Sequence, residues 1–457
     1  MSLVFTDYLL IGLYFLILIG ISIHTRGMKT FKEFSVGNRE IPFPLLFASI
    51  AATYIGPGAC MGMVGKGFES GFMFYLLVLS FPLQFVITGL VIAPRLTKYT
   101  DCESIGDIFA KKHGDFSKLL SGIVSVGLCL GFVALMAKVG GGMLSSFTGI
   151  DFTLSVIIMS GITTLYVFTG GLKASITTDT MQFSVFAIII PLVFIFSLMR
   201  PEIQNNNIFS DTINLTRNSL QNLGLLGSIG LVLAFFFGEM LVPPYVSRAL
   251  SAKSSKDSTK GFLYAGLFGF FWFAIIFGIG IFSKSIIPLN TNPDQVFLIL
   301  SKEVLPAGLY GLMLVALLGI IMSTQDSMIN TGSTTIVKDI LFFFNLSEDQ
   351  KLTWGRVSTV ILAIIAAILA LYLPSIIDSV LILYSIWAPT IVLPLLLVIF
   401  LKRVNKIGIP LSIIAGGLST FIWTKFESPI GIPPVIVGLI FCILFYFIGD
   451  LFNKKEK

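Results

Sequence analysis

Hydrophobic positions fall in long uninterrupted runs, and polar positions collect in short connections between them. The run 183–199 holds no charged residue at all. A helix needs about 20 such residues to cross a bilayer core. A membrane β-barrel would instead show weak alternation over about ten residues. The pattern predicts an all-α polytopic membrane protein with about 13 transmembrane helices, at 5–23, 43–64, 72–94, 119–148, 152–167, 181–199, 225–246, 262–282, 309–344, 357–373, 376–401, 407–423 and 435–451. No basic stretch precedes the first run, so it reads as a permanent helix rather than a cleaved signal. The stretch 200–224 is Asn-rich and reads as a polar loop without a core of its own.

Composition narrows the class. The 457 residues are 55% hydrophobic and only 12% charged, against about 25% charged in soluble domains. That excludes a soluble enzyme, a disordered chain and a nucleic-acid binder. Cys60, Cys102, Cys129 and Cys442 form no CxxC pair, and His24 and His113 lie far apart. A zinc or haem cofactor is not expected. No GxxxxGK[ST] loop is present, so ATP-driven pumping is not expected either.

The net charge of +6 follows from topology. Of the 30 Lys and Arg residues, 23 fall in alternate connections, among them Arg26, Arg39, Arg95, Lys173, Arg248 and Lys338. The positive-inside rule makes that side cytoplasmic. The N-terminus is then outside and the C-terminus inside a cell membrane.

Two runs are interrupted. In the second, Ala52-Thr53-Tyr54-Ile55 is followed by Gly56-Pro57-Gly58. Proline removes a backbone donor and clashes with the preceding turn, so the helix should unwind near the midplane. Such a break survives only beside protein or a wet cavity; a packing kink is the plainer alternative. The seventh run carries Gly238-Glu239 and Pro243-Pro244. Breaks five spans apart point to a transporter with inverted repeats. The expected division is a leading helix at 1–25, repeats at 42–200 and 224–403, and two final helices within 407–457.

Charges within spans mark function or a structural pair. Glu239 and Lys138 are such charges, and an internal Lys138–Glu239 ion pair is one expectation. In the ninth span Ser323, Thr324 and Ser327 follow helical spacing, with Asp326 among them. Small hydroxylic residues often serve helix packing alone. This run is denser in oxygen than packing needs, and hard cations prefer oxygen ligands.

These residues resemble the sodium:solute symporter family. The resemblance rests on Phe34-Ser35-Val36-Gly37-Asn38-Arg39, the broken Ala-rich segment, 170–182, Pro244-Tyr245-Val246-Ser247-Arg248, Met322-Ser323-Thr324-Gln325-Asp326-Ser327 and Tyr384-Ser385-Ile386-Trp387-Ala388-Pro389. It implies a LeuT-type 5+5 inverted-repeat core with one helix before and two after. It implies sodium as coupling ion, with no other cofactor, held by carbonyls of Ala52, Ile55 and Ile320 and hydroxyls of Ser323 and Thr324. Asp179, Asp326 and Ser327, with Ser323, match a second cation site of some members. Substrate-binding positions match Thr53, Tyr54, Gly56, Phe132, Phe235, Glu239 and Pro243, with Tyr384 and Trp387 closing the site.

The implied function is sodium-coupled symport of a small polar organic solute by alternating access. The implied partners are that solute, sodium and the lipid bilayer, with no nucleic acid and no required protein partner. Proline transporters carry an aspartate where Tyr54 stands and an aromatic where Glu239 stands, which argues for another solute; Glu239 suggests one bearing an amino or other cationic group, with a neutral solute that hydrogen-bonds Glu239 as the alternative. The competing readings are a proton-coupled symporter and a solute sensor or channel on the same scaffold. No catalytic set supports a membrane enzyme.

Overall fold

The computed structural model describes residues 4–204, 208–306, 308–373, 376–401 and 404–453. Among them the regular elements are helices, joined by turns and short loops. In order come α1 (Phe5–Thr25), α2 (Phe43–Tyr54), α3 (Met63–Ser70), α4 (Met73–Leu96), α5 (Asp115–Thr148), α6 (Phe152–Leu198), α7 (Ile208–Gly238), α8 (Pro243–Ser251), α9 (Ser255–Ser283), α10 (Pro293–Val304), α11 (Leu309–Thr335), α12 (Glu348–Ala370), α13 (Ile376–Trp387), α14 (Gly408–Lys425) and α15 (Pro434–Asn453). Local chemistry sets several starts. Asp151, Ser254 and Ser347 cap α6, α9 and α12 by accepting a backbone N–H from within the first turn.

Ten described segments are long and apolar enough to cross a bilayer, or eleven if α2 and α3 form one bent span. That is fewer than the 13 expected. Residues 168–180, read from their polar character as a connection, are helical, and two helices meet within them at a kink, so the segment labelled α6 covers both the fifth and the sixth expected spans. Its one interruption is Gly171, at φ 49° and ψ −139°. A Cβ there would stand 2.9 Å from the backbone of Phe34. Positive φ and close approach together require glycine. The stretch 208–223, expected as a loop, is also helical, with a break at Gly224. It docks through Thr216, whose hydroxyl accepts the Phe72 N–H at 2.9 Å.

α11 is the central helix. It packs on α5, α6 and α12, and its spanning window is 94% buried, against 28% for α1. The bundle is tied at the basic end. Arg39 donates to the Leu250 carbonyl at 3.0 Å, and Lys253 N–H to the Ile41 carbonyl at 2.9 Å. This fastens the start of α2 to the end of α8. Nearby, burial holds the His113 imidazole below its usual pKa. Its Nδ1 lies 3.1 Å from the Asn405 carbonyl oxygen and 3.3 Å from the Asn405 nitrogen, so this histidine ties to the segment before α14.

The second half of the first broken span is locked to α9 by glycine. A Cβ at Gly280 would stand 2.2 Å from the Val64 carbonyl oxygen. Two backbones in such contact leave no slack, and overpacking costs about 1–3 kcal/mol. Gly280→Ala is therefore expected to lower the melting temperature of the purified protein by several degrees. An unchanged melt would show that α3 and α9 separate freely.

Candidate transport site

The site forms where α2 stops. Pro57 has no N–H to offer the Thr53 carbonyl one turn back, and Ile55 leaves helical geometry at ψ 67°. The chain turns by 66° before α3. The freed carbonyls meet α11. Ser323 Oγ lies 3.0 Å from the Ala52 carbonyl and 3.0 Å from that of Ile320. Thr324 Oγ1 lies 3.1 Å from the Thr53 carbonyl and 3.3 Å from that of Ile320. Four of the five expected sodium ligands, Ala52, Ile320, Ser323 and Thr324, thus gather in one buried knot of neutral oxygens. Ile55 is buried beside them at the helix end. The Thr53 carbonyl joins them, a consequence of Pro57 that the sequence reading did not draw.

A charged cluster sits one turn further along α11. Asp179 Oδ2 accepts from Ser49 Oγ at 2.5 Å and from Arg248 Nη2 at 3.2 Å. The same Nη2 reaches Ser175 Oγ at 3.1 Å and Ser327 Oγ at 2.6 Å. Asp326 Oδ1 receives Ser175 at 2.6 Å and Ser327 at 3.2 Å, and its Oδ2 receives Tyr166 at 2.8 Å and Thr178 at 3.1 Å. Asp179, Asp326 and Arg248 are all fully buried. Asp179, Asp326 and Ser327 are therefore brought together, with a guanidinium among them. Sequence reading placed Arg248 with the topology charges. The available signal was two aspartates within apolar surroundings, which need a cation.

Beside the break lies a cavity lined by Thr53, Tyr54, Gly56, Phe132, Phe235, Glu239 and Tyr384, all expected at the solute site. Phe81, Met136 and Thr324 complete much of the wall. The free space is about 30 Å³, room for a water or two. An organic solute enters only when these walls part. Pro243 and Trp387 are not in the lining. Pro243 opens α8, and Trp387 Nε1 donates to the Met240 carbonyl at 3.1 Å, bracing the second break from behind.

Glu239 sits in that second break, between α7 and α8. The hydroxyls of Tyr245 and Tyr384 donate to its two oxygens. The expected Lys138–Glu239 ion pair is not formed: Lys138 Nζ donates to the Leu373 carbonyl. Tyrosines satisfy the carboxylate instead, and no Lys, Arg or His lines the cavity among the described residues.

The sodium:solute symporter family model matches residues 34–416. A sodium/proline symporter of Staphylococcus aureus (strain JH9) is 25% identical over 487 aligned residues, covering 98% of this chain and 93% of that protein. Among solved structures, a Na+-coupled sialic acid symporter in a substrate-bound outward-open state shares the fold, with a TM-score of 0.86 at 19% identity and 98% coverage of both chains. MhsT in complex with L-phenylalanine shares it at TM-score 0.62 and 14% identity, over 90% of this chain and 98% of that one. Helices broken beside a buried oxygen knot, a match across most of the sequence and a common fold agree: this multi-pass membrane protein belongs to the sodium:solute symporter family.

Proposed function

We propose that the solute carried by this sodium:solute symporter is a small polar organic molecule bearing an amine, held at Glu239. Sodium binds among the oxygens of Ala52, Ile55, Ile320, Ser323 and Thr324. The observation that carries the reading is the position of Thr324. Its hydroxyl reaches the carbonyls of the ion site, and the residue also lines the solute cavity. Filling one site therefore organises a wall of the other. Coupling of this kind is differential affinity of one ligand for the states the other favours.

The cycle is alternating access, with 42–200 and 224–403 as the two repeats that rock around the site. The protein lies in a cell membrane with its N-terminus outside, in keeping with the distribution of basic residues. A cation crossing 100 mV gains about 2.3 kcal/mol. A tenfold sodium gradient adds about 1.4 kcal/mol, and the sum sustains an accumulation of roughly 500-fold per sodium.

Glu239 is the polar anchor in a wall otherwise rich in Phe and Met. A buried carboxylate favours a cationic partner, and aromatic faces favour the same charge. The relatives at 25% identity are sodium/proline symporters. Here the Tyr54 hydroxyl is spent on the Ala265 carbonyl at 3.0 Å, so it does not present a free donor to an amino acid. Glu239→Gln is expected to lower uptake of amine solutes at least tenfold while changing sodium affinity less than about twofold.

The test is uptake of a labelled solute panel into proteoliposomes under a sodium gradient without a pH gradient. Accumulation of an amine under sodium supports the reading. Accumulation that a pH gradient drives and sodium does not would assign proton coupling instead.

A further inference from the structure

The ion site is built from neutral oxygens only, yet it is fully buried. An unscreened cation there needs a formal negative charge close by. We infer that Asp326, which touches none of the proposed ligands, is the counter-charge of the bound sodium, and that the site takes one sodium per chain. This rests on the sodium site proposed above.

The argument is a charge count. Asp179 and Asp326 supply two negative charges and Arg248 one positive charge, all fully buried. Arg248 pairs directly with Asp179 at 3.2 Å. It reaches Asp326 only through the hydroxyls of Ser175 and Ser327. Four hydroxyls surround the Asp326 oxygens at 2.6–3.2 Å. All four donate to it, the pattern that an acceptor-only carboxylate takes. The cluster carries one net negative charge.

That charge adjoins the ion site. Ser327 Oγ is 3.1 Å from Thr53 Oγ1, and the Thr53 carbonyl takes the Thr324 hydroxyl. Asp326 follows Thr324 by two residues on α11, a rise of about 3 Å. One sodium makes this cluster and the ion site together neutral. Asp179 Oδ1 is buried without a hydrogen-bond partner, but a second sodium there would leave an excess positive charge with no group to balance it. Arg248 is the resident cation of the second site. Glu239 faces the cavity and is left for the solute.

The experiment is equilibrium binding of ²²Na⁺, and of Li⁺ by competition, to the purified full chain in lipid nanodiscs without solute. The expected result is one sodium per chain. A full charge close to a buried cation is worth more than tenfold in affinity. Asp326→Asn should therefore weaken sodium and lithium alike at least tenfold. Their ratio should hold within about twofold, because the ligands that select between them are untouched. Two sodium ions per chain would overturn the inference. So would an Asp326→Asn affinity equal to that of the unmodified chain, or a loss confined to one ion, which would mean distorted ligands rather than missing charge. If Asp326→Asn does not fold, the ion count on the unmodified chain still decides. No ion bound to the unmodified chain, or full binding after loss of the Ser323 and Thr324 hydroxyls, would instead sink the sodium site itself.

Discussion

Replacing Ser323 and Thr324 together by alanine is expected to raise the sodium concentration needed for half-maximal uptake by at least a hundredfold, while the protein still folds. The two hydroxyls bridge the Ala52, Thr53 and Ile320 carbonyls at 3.0–3.3 Å. Their removal takes side-chain ligands away from a buried cation and leaves backbone oxygens unpaired. A lost hydrogen bond to a charged group costs about 1.5–3 kcal/mol. Two such losses multiply to the stated effect. Alanine is a strong helix former, so α11 itself keeps its shape. Sodium titration of solute uptake in proteoliposomes measures the shift. A sodium dependence equal to that of the unmodified chain would move the ion elsewhere.

The second large effect is on stability. Arg248→Met is expected to destabilise the protein by about 3–5 kcal/mol, the usual consequence of stripping one partner from a buried ion pair. The guanidinium serves Ser49, Ser175, Asp179 and Ser327 together. These residues lie on α2, α6 and α11, so α8 loses its tie to three helices at once. Adding Asp179→Asn removes the uncompensated charge and should restore part of the loss. Folded yield by size-exclusion chromatography and melting temperature in detergent follow both steps. A single variant that melts like the unmodified protein would show that Arg248 does not organise the cluster.

Much of the site was legible in the sequence because proline and glycine act locally. Pro57 between Gly56 and Gly58 dictates a break whatever surrounds it, and hydroxyls at 323, 324 and 327 declare one face of a helix. The errors arose where partners are distant in sequence. The polar residues of 168–180 read as a connection, yet Ser175, Thr178 and Asp179 are helical and buried because Arg248 and Asp326 supply their hydrogen bonds. Hydropathy averages over a window and carries no information about such partners. Arg248 was read as a topology charge for the same reason. Glu239 was singled out by its cost in an apolar span, but its tyrosine partners come from α8 and α13, and the expected partner was Lys138, another charge inside a span.

The make-up of α11 bears on how the protein is made. Its most apolar window has a mean hydropathy of 1.7, the lowest of the spanning helices, and 94% of that window is buried. Gln325, Asp326, Asn330 and a series of hydroxyls would face hydrocarbon if this helix left the translocon alone. Polar side chains at that depth are expensive. Lateral release of α11 into lipid must therefore wait until α5 and α6 stand ready beside it, making its insertion an assembly step in which earlier helices act as the solvent for a later one.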